Sequence, residues 1–142
     1  MRTVLIICCL FYSLGAKNIE KGFLFPYPTF NSQFNKSVKI TEQTKEIIIS
    51  FTKESGKSVK DFLEKNKGYL SKNNTVYLVD ASQVPTIAKF LFFMPSLKKL
   101  DFDVGLIEDR RKAKKLPRQK GKVTRIRLKN KIIMSIDFLD RL

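Results

Sequence analysis

The chain has 142 residues, a net charge of +15, no histidine and two cysteines. A domain of this size buries roughly two thirds of the surface its unfolded chain exposes, so one core needing no metal or disulfide staple is expected. Acid/base chemistry on histidine and Cys/His zinc sites are excluded, and the surplus of lysine and arginine makes anionic polymers and surfaces the natural weak partners.

Behind Arg2, the run Val4, Leu5, Ile6, Ile7, Cys8, Cys9, Leu10, Phe11 and Tyr12 is apolar but too short to span a bilayer as a relaxed helix, and Ser13, Gly15 and Ala16 follow it. That is the layout of a secretory signal peptide over residues 1–16, with cleavage after Gly15 or Ala16; a buried first strand or an uncleaved anchor is the alternative. Lipid attachment is disfavoured because bulky Ile6 and Ile7 precede the cysteines. The expectation is an exported chain, periplasmic or secreted, whose single domain is 17–142. Both cysteines would leave with the leader, so thiol nucleophiles and disulfide exchange would leave with them.

Residues 17–29 carry Phe23, Phe25, Pro26, Tyr27 and Pro28, which favours an extended arm laying its aromatics on one face of the core. The run 30–40 reads as an edge hairpin turning at Asn35 and Lys36. Ile47, Ile48, Ile49 and Phe51 have no polar face, as in a central strand covered by helices on both sides. A polar turn over 52–58 follows. Val59, Phe62, Leu63, Tyr69 and Leu70 then recur at helical spacing, with Ser58 and Asp61 as caps and Gly68 as the stop. Asn73 and Asn74 turn the chain into a second buried strand over 75–80, completing a parallel β-α-β unit. Ser82 caps the next helix, with Pro85 in its first turn. Ile87, Phe90, Leu91, Phe92, Phe93 and Met94 make that helix apolar nearly all round, which predicts burial beneath the N-terminal arm; an exposed patch is the alternative. Pro95 should break it, leaving a further turn or two over 96–100. Residues 104–108 read as a third strand and 109–121 as a basic loop. Residues 122–129 and 131–138 read as a hairpin turning at Asn130. In that hairpin Thr124, Ile126 and Leu128 share one face and Arg125, Arg127 and Lys129 the other, and Ile132, Met134, Ile136 and Phe138 continue the alternation.

This order of elements, led by Phe30-Asn31-Ser32-Gln33-Phe34-Asn35-Lys36-Ser37-Val38-Lys39-Ile40 and the strand at 45–52, resembles the thioredoxin-like superfamily over 30–138, in particular its peroxiredoxin and periplasmic thiol-disulfide branch. The resemblance implies a single-domain thioredoxin-like α/β sandwich with a mixed central sheet and an N-terminal hairpin extension. Redox members carry a cysteine, or two spaced by two residues, where the first central strand meets its helix. The matching stretch here is Thr52, Lys53, Glu54, Ser55 and Gly56, without a thiol. The family's cis-proline, just before its third core strand, is matched to Asp103, while Pro85 starts a helix. The resemblance therefore implies a scaffold without thiol redox catalysis and without a cofactor, acting as a binding or accessory module of the cell envelope.

Three constellations remain. Arg110, Arg111, Lys112, Lys114, Lys115 and Arg118, with Arg125 and Arg127 on the following strand, predict one positive edge that would bind anions; a solvated loop with no dedicated ligand is the alternative. The segment lacks aromatics to stack on bases, which points away from nucleic acid and towards an anionic envelope component or a protein partner. Membrane contact is expected only through 1–16, if that segment is retained. Asp80, Asp101, Asp103, Glu108 and Asp109 lie near strand ends, where a metal site or an acid/base pair for a hydrolase or transferase would need two of them together; separate solvated carboxylates are the commoner arrangement, and no metal is expected. Ser55 with Lys57 or Lys60 gives a Ser/Lys pairing that abundant lysine produces by chance.

Overall fold

The computed structural model describes residues 19–142. The signal-like run with Cys8 and Cys9 lies outside the described residues.

β3 (Glu46–Ser50) occupies the middle, and its Ile47, Ile48 and Ile49 are fully buried. It pairs in parallel with β4 (Thr75–Asp80) through the crossover of α1 (Lys53–Lys65) and α2 (Tyr69–Lys72), and antiparallel with β6 (Val123–Lys129). β5 (Gly105–Ile107) lies parallel to β4, and the hairpin of β1 (Thr29–Ser32) and β2 (Ser37–Lys39) extends that side of the sheet. β7 (Ile132–Leu139) closes the other side, giving one mixed seven-stranded sheet in the order β2-β1-β5-β4-β3-β6-β7. The single α/β domain, mixed sheet and N-terminal hairpin follow the sequence expectation.

Because alternate residues of a strand face opposite sides, β3 feeds two cores. Ile48 packs with Val59 and Leu63 of α1, Tyr77, Val104 and Val123. Ile47 and Ile49 pack on the other side with Phe25 and Phe30, and with Ala113 and Leu116 from α5 (Arg110–Lys115) and its exit. The arm belongs to this second side. Its Phe25 and Tyr27 meet edge to face, and Gly22 and Phe25 donate backbone hydrogen bonds to Ile133 and Lys131 at the start of β7.

Four local expectations are corrected. First, α1 begins at Lys53 rather than Ser58, because Thr52 takes the N-cap and Ser55 completes a reciprocal capping box, so most of the expected turn is the helix's first turn. Second, Pro95 does not break its helix. α3 (Thr86–Ala88) runs through a π-turn (Lys89–Phe93) into α4 (Met94–Lys98), with the Met94 N–H donating to the Lys89 carbonyl. The widened turn ahead of Pro95 relieves its ring from the carbonyl four residues back.

Third, the arm does not cover this helix. The arm packs on the α5 side of the sheet, whereas the helix packs its Phe93 and Leu97 on the α1 side, leaving Ile87, Phe90, Leu91 and Phe92 exposed. Fourth, Met134 forms a bulge in β7, where Arg127 pairs with Ser135 but Leu128 with Ile133. One extra residue flips the faces, so Ile133 is fully buried and Met134 points outward. The turn itself is as read: Asn130 and Lys131 both have positive φ, the two-residue turn that matches strand twist.

Candidate functional site at the start of helix α1

The site is built where β3 hands the chain to α1. Thr52 has extended backbone (φ −131°, ψ 164°), which aims its side chain back over the helix's free N–H groups. Its Oγ1 accepts from the Ser55 N–H at 3.2 Å, and the Thr52 N–H donates to Ser55 Oγ at 3.1 Å. The Thr52 hydroxyl also donates to Ser55 Oγ at 3.0 Å, and the Ser55 hydroxyl to the Thr52 carbonyl at 3.1 Å. Two hydroxyls spaced by two residues therefore hold each other, and both protons are committed. Lys53 and Glu54 between them point to solvent.

Among the described residues, neither hydroxyl bonds to a base. Lys57 pairs with Asp61 at 3.2 Å and Lys60 with Glu64 at 3.8 Å along the outer face of α1, so no Ser/Lys dyad forms with Ser55. Beneath the capping box, Ser50 Oγ and the Tyr77 hydroxyl lie 2.8 Å apart in the core, with Gly56 leaving room above them. Burial pushes the Tyr77 phenol up to about 12, against a smaller opposing effect of its bond to Ser50.

A second group of residues lies at the ends of β3 and β4. The Arg118 guanidinium stacks 4.3 Å from the centre of the Phe51 ring and stands 3.9 Å from the Asp80 carboxylate, whose side chain is almost wholly buried. Arg118 also donates to the Ala113 carbonyl, and Asp80 accepts from the Ser82 N–H at 2.9 Å and its hydroxyl at 2.6 Å. Sequence reading placed Arg118 on an open basic surface and missed this cluster. Its one sequence signal is Asp80 ending a strand two residues before Ser82, the spacing of an Asx turn.

The eight basic residues do not make one edge. Arg110, Arg111, Lys112, Lys114 and Lys115 ride on α5, whose Ala113 anchors it to the Ile47/Ile49 side of the sheet. Arg125 pairs with Ile48, so Arg125 and Arg127 project from the opposite face, where Arg125 meets Asp137 at 3.4 Å. Period-two alternation on β6 separates the two groups. The first part of the expected basic loop, Arg110–Lys115, is helix, started by the Asp109 side chain accepting from the Arg111 N–H at 2.8 Å; this bond, with the positive Arg111 and Lys112, holds the Asp109 carboxyl below its ordinary range.

The carboxylates are also apart. Asp80 pairs with Ile107 while Asp103 precedes β5, which places them about 13 Å apart along the strands at roughly 3.3 Å per residue. Asp101 bonds Lys67 at 2.7 Å and Glu108 bonds Lys89 at 2.7 Å. Among the described residues no cluster of three Asp, Glu, Cys or His stands close enough to hold a metal, and no helix is long and apolar enough to cross a membrane. Asp103, matched above to the cis-proline position, precedes β5 rather than a strand paired with β3. β5 lies beyond β4, and the strand next to β3 whose start meets α1 is β6, entered at Val123. Every described peptide bond is trans.

No protein-family model matches the sequence, and no curated protein matches it either. Solved structures do match in shape. A peroxiredoxin-like protein from Aquifex aeolicus aligns with a TM-score of 0.54 at 15% identity, covering 89% of this chain and 80% of its own. The thioredoxin domain of a thiol-disulfide oxidoreductase from Bacteroides vulgatus gives 0.52 at 10% identity, covering 84% and 89%. A peroxidoxin from Mycobacterium tuberculosis gives 0.54 at 10% identity, covering 83% and 84%.

Proposed function

Since the chain has the thioredoxin-like fold, we propose that it is a scaffold without thiol redox catalysis, exported as residues 17–142, that acts as a binding or accessory module in the cell envelope. One observation carries the reading. The stretch matched to the redox motif, Thr52 to Gly56, holds no thiol, and its Thr52 and Ser55 are tied to each other in a capping box. A hydroxyl with its proton committed and an ordinary alcohol's acidity does no disulfide exchange, which needs a thiolate. The partner is a protein or an anionic component of the envelope.

The test is insulin reduction with a thiol reductant as electron source, run on the full chain and on Cys8→Ser/Cys9→Ser. Neither should exceed buffer, whereas Thr52→Cys/Ser55→Cys, which restores two thiols at the family spacing, should gain turnover. Reduction by the Cys8→Ser/Cys9→Ser chain would end the reading. Export is checked separately by fractionation and N-terminal sequencing, which should find a chain starting at Ala16 or Lys17.

A second reading, electrostatic binding of a polyanion, is favoured by the exposed cations Arg110, Arg111, Lys114 and Lys115 on α5. Affinity for heparin would then fall steeply with added salt, and reversing those four charges would abolish it.

A further inference from the structure

Among the described residues, nothing covers the outer face of the helix over 86–98. Ile87 is 74% exposed, Phe90 80%, Leu91 58% and Phe92 72%. The helix turns one narrow stripe, Phe93 and Leu97, to the core, and the π-turn at Lys89–Phe93 changes the angular phase so that four large apolar side chains leave on the outer side. A patch of this kind on a soluble domain marks a docking surface.

The charge around it selects the occupant. Residues 81–100 contain no aspartate or glutamate, while Lys89, Lys98 and Lys99 lie within them. Ahead of the helix, the Arg110 guanidinium reaches the Ser82 carbonyl at 3.4 Å, and Arg111 follows it on α5 with its side chain exposed and 3.7 Å from Asp109. Lys98 and Lys99 stand exposed at the other end. Of the acids nearby, Glu108 is engaged with Lys89, Asp109 with the first turn of α5 and Asp101 with Lys67, while Asp103 stands exposed beyond Lys98 and Lys99. The result is a Phe-rich face bracketed by cations at both ends. A second copy of a chain carrying +15 would be repelled from it. The helix is also too short to span a bilayer, at about 20 Å for thirteen residues against a hydrocarbon core of about 30 Å.

We propose that Ile87, Phe90, Leu91 and Phe92 insert into the headgroup and acyl boundary of an anionic lipid bilayer, with Lys98, Lys99, Arg110 and Arg111 on the lipid phosphates. This is the in-plane mode of an interfacial helix, in which buried apolar area and attraction to anionic headgroups add. It places membrane contact on the folded domain rather than on residues 1–16. It takes its cellular setting from the envelope reading above, yet the two are scored apart: insulin turnover would remove that reading and leave vesicle binding untouched.

The experiment is co-sedimentation of the full chain with phosphatidylcholine vesicles, with and without a minority of phosphatidylglycerol. Binding should need the anionic lipid and weaken with salt. Phe90→Ser/Phe92→Ser, which changes only exposed side chains, should lower partitioning by at least about tenfold, and Lys98→Glu/Lys99→Glu should remove the preference for anionic lipid. The chain has no tryptophan, so Phe92→Trp supplies a single reporter whose emission should shift to the blue on anionic vesicles. Unchanged sedimentation of Phe90→Ser/Phe92→Ser would assign binding to residues 1–18 or to charge alone and overturn the proposal. So would a blue shift produced by an acidic protein but by neither vesicle.

Discussion

Replacing Gln33 with leucine tests whether the helix over 86–98 is held to the sheet as described. Gln33 is fully buried, and its amide bridges three main-chain groups far away in sequence. Nε2 donates to the Phe102 carbonyl at 2.8 Å and the Leu97 carbonyl at 3.3 Å, while Oε1 accepts from the Val104 N–H at 2.8 Å. Leucine fills a similar volume but satisfies none of them. Val104 is fully buried, so its N–H is orphaned without water, at about 1–3 kcal/mol. Leu97 and Phe102 are only partly buried and recover some hydration, so each adds less, on the order of 0.5–1 kcal/mol. The expected loss is about 2–5 kcal/mol, read from urea unfolding of the full chain by far-ultraviolet circular dichroism with the slope unchanged. A loss below about 0.5 kcal/mol would mean that Gln33 does not satisfy these groups, and the anchoring argument would fall.

Thr52→Ala should cost about 1 kcal/mol by uncapping α1, and a cycle with Ser55→Ala should show that the two losses are not additive, since each hydroxyl serves the other; additive losses would deny the capping box. The two buried-side glycines should respond with opposite sign in thermal melts. Gly56→Ala places its Cβ at an ordinary 3.6 Å from Ser50 Oγ inside a helix and should stabilise by about 0.5–1 kcal/mol, whereas Gly105→Ala meets Leu78 at 2.5 Å and should destabilise by about 1–3 kcal/mol. Tyr77→Phe should reshape alkaline stability. The folded phenol keeps its proton to about 12 and the unfolded one releases it near 10, so the native state binds the extra proton between these values and stability falls as pH rises through that window. The variant should lose less stability than the parent over the same range, and equal losses would count against the buried phenol.

The sheet was legible because burial on both faces leaves a crude mark: Ile47, Ile48 and Ile49 permit no wet side, and Asn130 marks the final turn. Helix starts were less legible. Ser58 and Asp61 satisfy a capping pattern as well as Thr52 and Ser55 do, and only the strand's end at Ser50 decides between them. Pro95 misled because a proline's cost depends on the turn before it, and a π-turn writes no pattern of its own. The bulge at Met134 is likewise a property of pairing rather than of letters, so strict alternation misassigned Ile133. At the candidate site, Thr52 to Gly56 were singled out from the order of elements. The contact of Arg118 with Phe51 and Asp80 was not, because it joins three segments whose closeness depends on the order of strands in the sheet.

That order has a consequence for the chain's life before it is folded. The middle strand, β3, finds one neighbour in β4 soon after it is made, but its other edge waits for β6, about 75 residues later. Until the last hairpin has emerged, an isoleucine-rich backbone edge stays open on a ribosome-bound polypeptide, and a nonsense codon upstream of residue 123 would leave it so permanently, the kind of edge that seeds aggregates.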